Sequence, residues 1–256
     1  VGSKLVIGTS GWSYKDWEGS FYPPGLPAAE QLGHYAEKFG AVEVDATFYR
    51  VPTAQMVKNW YDRTPSGFLF TSKVPQLITT EKMLEDCREE RDSYLSAISL
   101  LQEKLGCVLL QMPPQFKAEK ADSLSRFLWD WPREIRLAVE LRDRSWLSAS
   151  TYDLLAQRNA AFCWVDHYYM PTSFPITADF GYVRWLGRRD KIRKFDSIQI
   201  DRSARLEEWA KTLAALLPKV NLVFGFFNNH YAGHSPASAR QFLEMMSRRG
   251  GADAVS

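Results

Sequence analysis

Cysteine is scarce in this chain. There are three, Cys87, Cys107 and Cys163, with no CxxC pair and no even set from which to build a disulfide framework. Each falls in an apolar run or stripe, so each is expected to be a small buried hydrophobe, as suits a reducing cytoplasm. Histidine is also sparse. His34, His167, His230 and His234 stand in no HxH or HExxH spacing. A metal set of Glu140, Asp166 and His230 has no spacing behind it, so no metal and no cofactor is expected. No GxSxG elbow supports a Ser-His-Asp nucleophile. No apolar run reaches the roughly 18 residues of a membrane span, and no charged-then-apolar leader is visible at the start; Val1-Gly2-Ser3 are given no weight. Nor does one sign of charge dominate. Lys plus Arg number 32 against 30 Asp plus Glu, a net +2 that does not by itself call for nucleic acid or an anionic membrane.

What is present is ordinary in bulk and unusual in one respect. A length of 256 residues suits one (β/α)₈ barrel or two small domains, and 45% hydrophobic residues are ample for a core. Aromatics make up 14%, with nine Trp, many in segments that read as loops rather than core elements.

Strand and helix patterns alternate along the whole chain. Strand patterns fall at 5–9, 41–49, 68–74, 107–112, 137–142, 161–166, 182–186 and 221–227. Helical patterns fall at 27–39, 53–63, 80–105, 121–129, 148–158 and 203–217, with Thr53 an N-cap and Gly106 ending the third. The last helix opens at Ser235-Pro236, a cap followed by proline. Between His167 and Phe180 two prolines break any helical period. About eight strands with about seven helices predict one closed parallel TIM-like barrel in which a loop replaces the sixth helix. A doubly wound open sheet would need a Gly-rich phosphate loop after its first strand, and Gly8-Thr9-Ser10-Gly11-Trp12 does not match one.

In such a barrel, function collects at strand C-terminal ends. Alternation along Leu137-Ala138-Val139-Glu140-Leu141-Arg142 puts a carboxylate and a guanidinium on one face of one strand. The same period turns Glu43, Asp45 and Thr47, then Lys73, Gln111, Asp166, Arg184 and Asn228 inward from the other strands. Glu43 lies deep enough to be a buried ion-pair partner instead, and Lys73 is open to either a functional or a structural role. Asn228-Asn229-His230 leads from the eighth strand to the last helix, whose free N–H groups are expected to face the mouth and hold an anion. Ser235 as a plain cap is the simpler account of that residue.

These motifs, taken in order, resemble the family called domain of unknown function 72, also known as YecE-like or UPF0759 proteins. The resemblance rests on Gly8-Thr9-Ser10-Gly11-Trp12 with Tyr14 and Trp17, Phe21-Tyr22-Pro23, Thr47-Phe48-Tyr49, Lys73 and Gln111-Met112-Pro113-Pro114. It continues in Val139-Glu140-Leu141-Arg142 with Trp146, Tyr182-Val183-Arg184 and Phe227-Asn228-Asn229. It implies a TIM barrel and no established reaction. Asp45-Ala46 stands where Asn-Ser is usual, Thr80 where a His is frequent, and Leu186 where many members have His, so no His-based or metal mechanism carries over.

The leading expectation is an enzyme acting on a small anionic or sugar-phosphate-like substrate, by hydrolysis or a lyase reaction. Glu140 and Asp45 would form the acid/base pair, with Lys73 and Arg142 stabilising charge. Arg184, Gln111, Glu43, Asp166, Asn228, Asn229 and His230 would bind substrate, and Trp12, Tyr14 and Trp17 would line or cover the mouth. Two alternatives stand beside it. The basic loop Arg188 to Lys194, with first-loop aromatics, would serve a nucleic-acid-binding or nucleic-acid-processing protein; a non-catalytic small-molecule binder is the other. If Glu140 lines a hydrated site, Glu140→Gln is expected to fold with near-parent stability.

Overall fold

The computed structural model describes residues 4–168, 170–249 and 254–255; Val1-Gly2-Ser3 lie outside them. Parallel pairing runs in one ladder. β1 (Lys4–Ser10), β2 (Ala41–Val44), β3 (Leu69–Lys73), β4 (Leu105–Gln111) and β5 (Leu137–Glu140) follow one another in sequence and in space. β6 (Ala161–Phe162) bonds to β5, and β7 (Trp164–Asp166) to β8 (Phe180–Trp185). Only Cys163 separates β6 from β7, so they are two halves of one strand that turns from one neighbour to the other. β9 (Leu222–Phe227) joins β8 to β1, and the ring is closed with eight staves. β10 (Ala254–Val255) lies beside the start of β1.

Helices α1 (Ala28–Ala36), α2 (Ala46–Tyr49), α3 (Ala54–Asp62), α4 (Arg88–Ile98), α5 (Ala121–Trp129), α6 (Ala149–Ala156), α7 (Ser203–Leu216) and α8 (Ser235–Ser247) connect the staves. Thr53 caps α3, its hydroxyl accepting from Met56 N. No helix follows β7 among the described residues up to β8. That segment straps onto β6 instead: Thr177 Oγ1 accepts from Phe162 N and donates to Ala160 O, and Trp164 Nε1 donates to Pro175 O.

Two apolar layers hold the barrel. Inside the ring, bulky Tyr182, Phe224 and Phe226 fit against small Ala41, Ala138 and Ala161 on other staves, an interlocking of sizes that keeps the interior filled. Outside it, seven of the nine Trp are buried. The aromatics expected in loops are therefore mostly core. Trp17 and Trp146, both outside strands and α-helices, are fully buried.

Four local expectations change. The second strand stops at Val44, and residues 46–49 make one helical turn because Thr47 turns back, donating to Val44 O or Lys73 O. The long helix over 80–105 is instead a wide turn (Leu77–Glu81), a loop with positive φ at Met83, Leu84 and Asp86, and then α4. Gly106 lies in β4, not at a helix end; a Cβ there would sit 2.9 Å from the Phe224 ring. Finally, the last helix is capped by His234, whose Nδ1 accepts from Ala237 N, with Ser235 already its first residue.

Candidate active site at the barrel mouth

Inward parity carries Glu43, Lys73, Gln111, Glu140, Arg142, Arg184 and Asn228 to one end of the ring, but at two depths. Arg184, on β8, is buried and stands at the centre of the lower layer. Its Nη2 donates to Glu43 Oε1 at 2.7 Å; its Nη1 donates to Glu140 Oε2 at 2.6 Å and to Gln111 Oε1 at 2.9 Å. Arg142 closes the other side, with Nε donating to Glu140 Oε1 at 2.5 Å and Nη2 to Gln111 Oε1 at 3.0 Å. Glu43 also accepts from Ser10 Oγ and Tyr182 OH, both at 2.7 Å.

Both glutamates are 0% exposed. Burial pushes the Glu140 carboxyl up, but Arg142 and Arg184 outweigh it and hold the group at about 2. Arg184 is likewise pulled two ways: burial disfavours its charge, and Glu43 with Glu140 more than restores it. With its oxygens taken up by guanidinium donors and its proton lost far below neutrality, Glu140 is a poor acid or base. It acts as floor, holding Arg142 and Arg184 in place, and the expected Glu140–Asp45 acid/base pair is not assembled.

Above that floor opens a cavity of about 780 Å³. Asp45, Lys73, Gln111, Arg142, Arg184, Asn228, Asn229, His230 and Tyr14 all border it, as expected. Lys73 Nζ lies 3.2 Å from Asp45 Oδ1 and 4.6 Å from the centre of the Phe48 ring. Burial lowers the lysine pKa and Asp45 works against that, while the nearby Arg184 charge lowers it further. Tyr14 donates to Ser10 O at 2.7 Å, and burial raises its phenol, which stays protonated.

Glu43, expected to bind substrate, lies in the floor and does not border the cavity, and two further expected site residues lie elsewhere. Trp12 packs edge-on to Trp60, and its carbonyl accepts from Tyr22 OH, on the outer side of the first loop. Asp166 faces away from the barrel interior, because Ala161, Cys163 and Val165 take the inner positions of its strand. It accepts from Arg205 Nε at 3.1 Å, Trp209 Nε1 at 2.8 Å and Tyr231 OH at 3.1 Å. A metal set of Glu140, Asp166 and His230 is therefore not brought together. Among the described residues, no group of three or more His, Cys, Asp or Glu is placed to share an ion.

The anion site expected at the last helix also changes. Asn229 Oδ1 accepts from Ser235 N, Ser235 Oγ and Trp17 Nε1, Pro236 has no N–H, and His234 takes Ala237 N. The first-turn donors are thus satisfied from within, and Trp17, expected as a cover, is a buried anchor for Asn229.

Sequence reasoning missed Tyr182, whose parity with Arg184 could have revealed it. It also treated the basic loop as separate from the mouth. Leu186, Gly187, Arg188, Arg189 and Asp190 form one wall of the cavity, with Phe48, Tyr49, His167, Tyr168 and Phe195 around the rim. Gly187 makes that placement possible: a Cβ on it would fall 1.6 Å from His230 O.

Comparison with known proteins places the chain in one family, and solved structures of that family share this architecture. The family model described as "Protein of unknown function DUF72" matches residues 6–254. The UPF0759 protein YunF of Bacillus subtilis is 30% identical over 94% of each chain. The UPF0759 protein YecE of Escherichia coli K12 is 30% identical over 54% of this chain and 48% of its own length. The crystal structure of a DUF72 family protein from Thermotoga maritima superposes with a TM-score of 0.79 at 29% identity, over 95% of this chain and 99% of its own. One from Enterococcus faecalis, at 18% identity and a TM-score of 0.74, shares the fold. With a family model spanning nearly its whole length, the chain belongs to the DUF72 family of TIM-like barrels.

Proposed function

We infer that the barrel mouth is an enzyme site for a small anionic molecule, worked on by proton transfer through Asp45 and Lys73. One observation carries the reading: charge is sorted by depth. Glu43 and Glu140 are satisfied within the floor, whereas Lys73, Arg142, Arg188 and Arg189 border the cavity against Asp45 and Asp190. A concave, partly dehydrated wall of cations around one carboxylate–ammonium pair suits an anion whose charge changes during reaction, as in hydrolase or lyase chemistry. A cavity of about 780 Å³ fits a metabolite-sized ligand.

The test is calorimetric titration with inorganic phosphate and sulfate against chloride at matched ionic strength. Arg189→Ala, removing an exposed rim cation, should weaken phosphate binding roughly two- to fivefold. Lys58→Ala, on a surface helix remote from the mouth, should leave it unchanged. Equal binding in parent and Arg189→Ala would count against the assignment. The nucleic-acid reading has an observation of its own: Tyr49 and Tyr168, 67% and 66% exposed, stand on the rim, and Arg188 lies over the Tyr168 ring. A single-stranded oligonucleotide that binds in the same assay with a steep salt dependence would favour it.

A further inference from the structure

Two lysines are buried among the described residues, and they are held in different ways. Lys104 is locked: its Nζ donates to Tyr61 O and Thr64 O, both at 2.7 Å, and to Thr64 Oγ1 at 3.1 Å. That is a structural ammonium with its donors satisfied. Lys73, 7% exposed at the last position of β3, opens on the mouth cavity and meets the Phe48 ring and the Asp45 carboxylate. Asp45 Oδ1 stands 3.2 Å away without hydrogen-bond alignment and is a buried acceptor with no filled bond. As a counter-charge for Asp45 the lysine is partly redundant, since Arg184 Nη2 is 3.8 Å from the same oxygen. An arginine at hand for charge, and a lysine kept beside it at the end of a barrel strand, point to a need for an amine.

We propose that Lys73 is a nucleophile that forms an imine with an anionic aldehyde or ketone bound in the mouth. This deepens the reading of the mouth as an anion site and rests on it. Asp45 takes one proton from the ammonium, and the freed lone pair of Nζ attacks the carbonyl carbon. A C–N bond forms as the carbonyl π pair moves to oxygen, which receives that proton back from Asp45. A second proton, from the nitrogen, then passes by way of Asp45 to the hydroxyl, and the C–O bond breaks to release water. The product is a protonated imine, with charge conserved and nothing oxidised or reduced. Its positive nitrogen draws electrons from the adjoining carbon, the step that makes a lyase reaction accessible. Burial and the neighbouring Arg184 charge lower the lysine pKa and enlarge the fraction of free amine near neutrality. Arg142 and the basic wall would hold the anionic end of the substrate.

The experiment is reductive trapping. The full chain is incubated near neutral pH with pyruvate, dihydroxyacetone phosphate or neutral glycolaldehyde, with cyanoborohydride present, and the adducts are mapped by peptide mass spectrometry. Trapping at Lys73 should outpace trapping at exposed Lys58 and Lys194 by about tenfold or more, because the cavity holds the carbonyl beside its amine. The anionic carbonyls should react faster than glycolaldehyde, and inorganic phosphate should compete. Lys73→Arg, which keeps the charge, should lose the adduct, but the map of the parent protein decides without it. Adducts confined to exposed lysines, while phosphate still binds in calorimetry, would overturn the imine and leave the anion site standing. Trapping at Lys73 with no preference for anionic carbonyls and no phosphate competition would keep the imine and remove the anion site.

Discussion

Glu140 ends β5 and Arg142 follows two positions on, both turned toward the ring's interior, yet only the arginine reaches the mouth cavity. Depth decides their roles, and depth is what a period of two does not report. Because Glu140 is wholly buried between two guanidinium groups, neutralising it leaves cations facing a partner that no longer balances them. Glu140→Gln should therefore lower stability by roughly 3–5 kcal/mol, not leave it near the parent value as a hydrated site would. A denaturant titration measures this, and a loss under about 1 kcal/mol would return Glu140 to the list of solvent-reachable groups.

At the scale of elements, the junction after β2 is the instructive one. Thr47 ends the strand by folding over it: its Oγ1 accepts from Lys73 N at 3.0 Å while donating to Val44 O or Lys73 O. That one hydroxyl fixes both members of the Asp45–Lys73 pair. Thr47→Val keeps the shape and strips the acceptor from a buried N–H, so thermal or chemical unfolding should show a loss of about 1–3 kcal/mol. The same junction shows what was legible in sequence. Clear alternation identified the inward side of β2, β3, β4, β5 and β8, and with it Asp45, Lys73, Gln111, Arg142 and Arg184 of the cavity's lining. Asp166 was lost because its strand is apolar on both sides, with Phe162 and Trp164 outward and Ala161, Cys163 and Val165 inward, so pattern alone did not choose the face. The loop at 82–87 was hidden for another reason. Met83 and Leu84 adopt positive φ through tertiary packing that neither side chain calls for. Trp12 and Trp17 were misjudged because a long loop can itself be core.

The whole molecule is a ring whose open end is braced from within. Arg184 reaches Glu43 across 141 positions of chain and Glu140 across 44, and Tyr182 reaches Glu43 across 139. Contacts of that span have a consequence for the order of events during folding. They can form only after β8 has met the staves before it, and closing so long a stretch of chain is costly, so the brace is expected in the last stage of assembly and not in its nucleus. Tyr182→Phe removes a hydroxyl bound to a carboxylate and should destabilise by roughly 1.5–3 kcal/mol, enough for kinetic analysis. In stopped-flow experiments the slowest refolding rate should stay near that of the parent, while unfolding accelerates by most of the stability lost. Slower refolding with unchanged unfolding would mean that the ends of the chain find each other early. If the brace does set late, it is also the latch whose release begins unfolding, and how long the native barrel survives would be governed at the floor of its own ligand cavity.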